Sequence, residues 1–380
     1  MEYKIISGDG HIDLAWLPPD LFVSNAPAKW KDQVPQVVET AEGGRWYAEG
    51  KNLAALALGA ASGLANRALP QRGRSKHIDR MYDSGFYEGG PHPTTPPLRI
   101  KDQEIDGIDA EVMYGILGIS RLIENQELLR WVLAAYNDWA ADFCKTNPER
   151  LIALACIPND APEHAAAELR RAAKLGLKGA DFAVATAVQP IWHRDWDPLW
   201  AAAHECHMPI SFHTVGYPVR VVSDEHMAKA YEIQRRATSI ALFQVAGAEF
   251  LVNIVFSGAL ERYPGMQFVL GECGVGWIPY ILARMDEEYA DQFSHLGFSM
   301  RPSDYWRRQG YTTFQHESIV ADVIHLVGED NVLWGSDYPH PDGVWPDSLK
   351  VIQEDLGRLD EQVRRKVICE NAGKLYGLIT

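Results

Sequence analysis

Asp9 and His11 flank a single glycine in the stretch Ser7-Gly8-Asp9-Gly10-His11-Ile12-Asp13. Side chains two apart on an extended backbone leave from the same face, so a carboxylate and an imidazole placed this way can reach one ion. Taken alone the stretch reads better as an Asx-type turn, because Gly8 and Gly10 are turn residues. The ends of later apolar runs reverse that reading. His213 closes the run Met208–Phe212, Glu272 closes Met266–Gly271, His316 closes Gly310–Gln315, and Asp337 follows Asn331–Ser336. Three strand-terminal histidines together with Asp9 and Asp337 form a ligand pattern. Asp9, His11, His213 and Asp337 would supply two nitrogens and two oxygens to one divalent ion. Such a set suits Zn²⁺ first and Mn²⁺ as the alternative, with positions left for water or substrate.

These side chains need a scaffold that brings distant segments to one rim. The apolar run Tyr3–Ile6 reads as a first strand, and from Ile105 onward short apolar runs alternate with helical periodicity. Strands are expected at Asp109–Tyr114, Leu151–Ile157, Leu177–Val184, Met208–Phe212, Met266–Gly271, Gly310–Gln315 and Asn331–Ser336, with helices between them. Eight strands separated by helices are the pattern of a (β/α)8 TIM barrel, in which residues at the C-terminal strand ends converge on one face. The candidate ligands, Glu272 and His316 all occupy such ends. Residues from about 14 to 104 lack strong strand signals and read as an insertion or lid within one barrel domain spanning 1–380; the Ala/Leu-rich segment Leu53–Leu69 within it is expected to be helical.

Composition narrows the function. The chain of 380 residues carries a formal net charge of −15 and no dense Lys/Arg patch, which argues against a nucleic-acid partner. No basic leader precedes an apolar stretch, and no apolar run reaches bilayer length, so a cytoplasmic protein without a membrane partner is expected. The cysteines are five, widely spaced and without a C-x-x-C pair, which leaves nitrogen and oxygen as the metal donors. No G-x-S-x-G elbow and no G-x-G-x-x-G fingerprint occurs, so neither a serine nucleophile nor a dinucleotide is indicated. The expected partner is a small-molecule substrate, and the insertion is the surface on which a homodimer would form.

Longer motifs carry a resemblance. Asp9-Gly-His11, Ile210-Ser-Phe-His213, Leu260-Glu-Arg-Tyr-Pro-Gly-Met-Gln-Phe-Val-Leu-Gly-Glu272-Cys-Gly-Val-Gly-Trp-Ile-Pro279, Leu333-Trp-Gly-Ser-Asp337-Tyr-Pro-His340-Pro341 and Glu370-Asn-Ala-Gly-Lys-Leu-Tyr-Gly-Leu378 resemble the amidohydrolase superfamily. More narrowly, they resemble its aminocarboxymuconate-semialdehyde decarboxylase-like, or amidohydrolase 2, branch. The resemblance implies a distorted barrel holding one divalent ion, with His213 as the ligand after the fifth strand and Asp337 as the ligand after the eighth. The chain departs from the branch twice. Asp9-Gly10-His11 stands where members commonly have His-x-His or Glu-x-His, and Glu272 stands where the decarboxylases usually place a histidine that handles water or a proton.

Charge then separates two reactions. If Asp9, Asp337 and Glu272 are all ionised, three carboxylates outweigh one dication and disfavour an anionic substrate. The expectation is therefore a metal-dependent hydrolase of a small cyclic or aromatic carbonyl compound, attacked by metal-bound water whose pKa falls toward about 7. Asp337 would take the proton, Glu272 would orient the water, and His316 would hold the developing oxyanion, with His340 on the substrate. The alternative is a nonoxidative decarboxylase of an aromatic or unsaturated carboxylic acid, in which a site acid protonates the ring carbon.

Overall fold

The computed structural model describes residues 2–41, 43–53, 67, 69–73, 75–213 and 230–379. Its strands are β1 (Ile6–His11), β2 (Gln36–Thr40), β3 (Gly43–Ala48), β4 (Lys51–Asn52), β5 (Ala110–Tyr114), β6 (Leu151–Ala153), β7 (Ala155–Ile157), β8 (Ala180–Phe182), β9 (Ile210–His213), β10 (Phe268–Gly271), β11 (Gly310–Phe314) and β12 (Val332–Trp334). Two parallel arcs, in the orders β1-β5-β6 and β12-β11-β10-β9-β8-β7, make up a distorted (β/α)8 barrel. The expected third strand, Leu151–Ile157, is split into β6 and β7. At the split, Leu154 donates its N–H to Met113 at 2.9 Å on one side, and Ala155 donates to Gly179 at 2.9 Å on the other. The two halves thus serve as one stave that changes neighbours midway.

At the other join, β1 meets the segment after β12 through a single bridge, Gly10 with Tyr338. His11 N–H donates to the Tyr338 carbonyl at 2.6 Å, and Asp337 N–H donates to the Asp9 carbonyl at 2.9 Å. β1 starts later and runs further than the sequence pattern suggests. Pairing of Gly10 with Met113 and of His11 with Tyr114 carries the strand through the Asp-Gly-His motif, with an irregularity between Ser7 and Gly10.

The barrel interior is mostly apolar, with Asp181 and Ser211 buried among its strands. Ile6, Val112, Tyr114, Ile152, Leu154, Val269 and Leu333 point inward, and Leu375 and Tyr376 of the C-terminal helical segment close the floor beneath them. Outside, the helix Gln126–Cys144 buries Leu129, Val132, Leu133, Tyr136 and Ala140, the stripe expected of a helix packed on one side. The run Glu232–Phe256 is long and apolar enough by composition to cross a bilayer, contrary to the sequence expectation. Its last turns nevertheless bury Leu251, Ile254 and Val255 within the core cluster that coats the barrel, which accounts for part of that apolarity.

The insertion also differs from expectation, because β2, β3 and β4 form an antiparallel sheet within it. Only Trp46 and Ala48 are buried along these strands, so their sequences lack the apolar alternation that announces a half-buried strand. The helix expected over Leu53–Leu69 lies almost entirely outside the described residues. After it, the helix Lys76–Asp83 returns the insertion to the barrel. Ile78 and Met81 pack with Phe86, Tyr338 and Trp345, beside the loop that carries Asp337.

Candidate metal centre

Asp9 is fully buried and its two oxygens have separate surroundings. Oδ2 accepts from Thr313 Oγ1 at 2.6 Å and from the backbone N–H of Glu272 at 3.1 Å. Oδ1 lies 3.4 Å from His11 Nε2 and 3.6 Å from His213 Nε2. Burial pushes the Asp9 carboxyl up, but the two imidazoles outweigh it and bring the group down to about 2. Across the β1–β12 join, His11 Nε2 is 3.0 Å from Asp337 Oδ1. Burial presses the His11 imidazole toward its neutral form, and Asp337 and Asp9 reverse that, raising it to about 9.

His213 ends β9 with its ring edge-on to His11, centroids 4.9 Å apart. Gly271 on the neighbouring strand makes room for it, since a Cβ there would meet Tyr114 Oη at 2.7 Å and His213 Cδ2 at 2.8 Å. Asp337 is fully buried, and its backbone is left-handed at φ 56°, a conformation that costs an L residue about 1–2 kcal/mol. The turn aims its carboxylate back at His11. Burial opposes ionisation, yet His340 and His11 hold Asp337 well below the usual carboxylate range.

The four expected ligands are therefore brought together. Asp9 Oδ1, His11 Nε2, His213 Nε2 and both Asp337 oxygens are buried without an aligned hydrogen bond, although ion-pair separations among them are 3.0–3.6 Å. Buried polar atoms left without partners are expensive, and a cation satisfies all of them at once. Donor atoms of Asp9, His11 and His213 lie within 4.8 Å of one another. Two imidazole nitrogens and two carboxylates fit a borderline or hard divalent ion. The field that holds protons on these imidazoles also favours a divalent cation, which displaces them on binding.

His340 is placed beside the ligands, with Nδ1 3.0 Å from Asp337 Oδ1, Nε2 3.2 Å from Asp13 Oδ2, and its ring stacked on His11 at 4.0 Å. A carboxylate thus faces each ring nitrogen, which ties His340, the expected substrate contact, to Asp337 and Asp13. Asp13 was not singled out, although it stands two residues past His11 in the same motif. Thr313 was also missed, because a threonine inside a strand looks like ordinary β propensity.

Glu272 follows β10 in a left-handed conformation at φ 53°. Its carboxyl is buried with Oε2 3.8 Å from His213 Nε2. Burial first, then the nearby Asp337 charge, push this carboxyl up to about 8. These surroundings favour the protonated carboxyl over the third negative charge on which the sequence reading relies.

His316 does not join the cluster. Its side chain is 59% exposed and pairs through Nδ1 with Asp355 at 3.0 Å. Lying two residues beyond β11, it turns outward, and Asp355 also accepts from the Glu317 N–H at 2.7 Å. Glu317 in turn accepts from the N–H groups of Val275 and Gly276 at 2.8 and 2.7 Å, which fixes the loop after Glu272.

A parallel barrel that gathers buried imidazoles and carboxylates at its strand ends defines a metal-binding barrel enzyme. A family model described as Amidohydrolase matches residues 15–378, and the chain belongs to that family. It is 26% identical over 263 residues to a gamma-resorcylate decarboxylase of Rhodococcus jostii, covering 64% of this chain and 75% of that one. It is 24% identical over 314 residues to the 2-amino-3-carboxymuconate-6-semialdehyde decarboxylase of Dictyostelium discoideum, covering 78% and 81%. In structure it is similar to a 5-carboxyvanillate decarboxylase of Novosphingobium aromaticivorans complexed with manganese and 4-hydroxy-3-methoxy-5-nitrobenzoic acid, with a TM-score of 0.64, 21% identity, and coverage of 80% and 85%.

Proposed function

We propose that this protein is a metal-dependent nonoxidative carboxy-lyase of small aromatic carboxylic acids. The observation that carries the reading is Glu272, a buried carboxyl set among the expected ligands and beside Asp337, in surroundings that favour its protonated form. A neutral acid there removes the charge argument for hydrolysis, because Asp9 and Asp337 alone balance a dication and an anionic substrate is no longer repelled by a third carboxylate. The decarboxylases to which the chain is similar support the same choice.

Asp9, His11, His213 and Asp337 would hold the cation, Mn²⁺ or Zn²⁺, which when bound supplies positive charge for a substrate carboxylate and an adjacent hydroxyl. The residues of the chain supply the rest. His340 and Asp13 fix the direction of Asp337, Thr313 fixes Asp9, and Glu272 delivers its proton to the ring carbon bearing the carboxylate. The carbon–carboxylate bond then breaks with its electron pair returning to the ring, and CO₂ leaves. The proton on Glu272 is restored from solvent.

The test is a panel of ortho-hydroxybenzoates incubated with Mn²⁺-loaded protein in D₂O. Release of CO₂ with one deuterium at the vacated carbon is the expected result. Incorporation of solvent oxygen into product without CO₂ would overturn the reading in favour of hydrolysis.

A further inference from the structure

The ligands His11 and Asp337 face each other across the β1–β12 join, where one bridge takes the place of a continuous ladder. Behind that join stands Arg99, in the insertion helix Pro96–Asp106, with 0% of its surface exposed. Burying a guanidinium costs several kcal/mol unless its hydrogen bonds and charge are met in full. Here they are met by groups that belong to the join. Nε and Nη2 form a two-pronged contact with Glu111 of β5 at 2.6 and 2.9 Å. Nη1 donates to the carbonyl of His11 and to that of Pro93, each at 2.9 Å. The guanidinium also lies 4.8 Å from the ring centroid of Tyr338, the residue directly after Asp337.

The surroundings lock this arrangement from both sides. Gln103 donates to Glu111 Oε1 at 2.6 Å. Tyr338 Oη donates to Asp102 Oδ2 at 2.7 Å, and the same oxygen lies 2.8 Å from His92 Nδ1. One buried cation from the insertion therefore touches the backbone of one ligand and the neighbour of another. A planar fork with fixed donor directions suits such a task, and a lysine cannot reproduce it.

We propose that Arg99 is a positioning residue that sets the spacing of His11 and Asp337 across the barrel join and thereby the affinity and coordination of the metal. The proposal rests on the metal-centre reading above. It assigns the insertion a part in holding the metal.

The test compares the full-length wild type with Arg99→Lys and Glu111→Gln, each confirmed as folded by far-UV circular dichroism. Mn²⁺ affinity is measured by titration calorimetry, and coordination by the visible spectrum of the Co²⁺-substituted protein. Outer-shell changes typically cost about 10–100-fold in metal affinity. A loss of that size with an altered Co²⁺ spectrum is expected in Arg99→Lys, with a smaller loss in Glu111→Gln, where the fork is loosened but the cation stays. A folded Arg99→Lys that binds Mn²⁺ within about twofold of wild type and keeps its Co²⁺ spectrum overturns the proposal. If Arg99→Lys does not fold, the same two readings on Glu111→Gln decide it. Failure of the wild type to bind Mn²⁺, Zn²⁺ or Co²⁺ would instead overturn the metal-centre reading, and the proposal with it.

Discussion

The backbone N–H of Glu272 donates to Oδ2 of Asp9 at 3.1 Å, so the proposed acid is tied through its backbone to an expected metal ligand from the opposite end of the chain. That oxygen also accepts from Thr313, which leaves Oδ1 as the free donor. Replacing Thr313 by valine keeps the shape and removes two buried hydrogen bonds, the one donated to Asp9 and the one accepted from the Glu272 N–H at 2.6 Å. The expected result is about 1–3 kcal/mol of lost stability and a roughly tenfold weaker Mn²⁺ affinity, measured by denaturant unfolding and calorimetry. Unchanged affinity would mean that Asp9 needs no help in presenting Oδ1.

Glu272→Gln separates chemistry from metal binding. Gln carries no transferable proton but is close in shape, so metal content should stay at the wild-type level while turnover falls about 10²–10⁴-fold. Since burial raises the Glu272 carboxyl to about 8, its proton is present below that pH and lost above it. The wild-type turnover should therefore fall as pH rises through about 8. A Glu272→Gln enzyme of full activity would remove the residue from the reaction.

His213→Ala should lose the metal outright, beyond the roughly 10–100-fold loss that outer-shell changes cost. His316→Ala provides the contrast. With its ring exposed and paired only with Asp355 among the described residues, it should leave metal content unchanged and turnover within about twofold. Metal analysis of the two variants side by side checks both expectations.

Asp106 provides a pH test of stability away from the metal. It accepts from the Ser348 backbone N–H and Oγ at 2.9 and 2.6 Å, yet burial outweighs these bonds and raises its pKa to about 6. The folded state therefore binds this proton more tightly than the unfolded chain does. Its stabilising contribution is full below about pH 4 and is lost as pH rises through about 6, on the order of 3 kcal/mol in all. Asp106→Asn should lack this dependence. Urea midpoints of the two proteins at pH 4.5 and pH 8 read it directly, and parallel curves would contradict it.

The proximity of Asp9, His11, His213 and Asp337 was legible because each stands out at or just beyond an apolar run, and a barrel sends such positions to one rim. The same reasoning misplaced His316. Following a strand by two residues does not specify which way a loop turns, and here Asp355 draws the ring outward. The charge of Glu272 was also beyond the sequence, since protonation depends on burial and on neighbours brought from the first and eighth strands. β2–β4 went unseen because Trp46 and Ala48 are their only fully covered positions. Arg99 carries no mark in the sequence that separates it from the other insertion arginines, and its role depends on partners, His11, Glu111 and Tyr338, that only the fold supplies.

The barrel is floored by Leu375 and Tyr376 and sealed where β12 reaches β1, so its completion depends on segments at opposite ends of the sequence. A ribosome that has released Asp9, His11 and His213 but not yet Asp337 presents three ligands on an open arc of strands. An ion that needs all four side chains would thus be held only once the polypeptide has closed on itself.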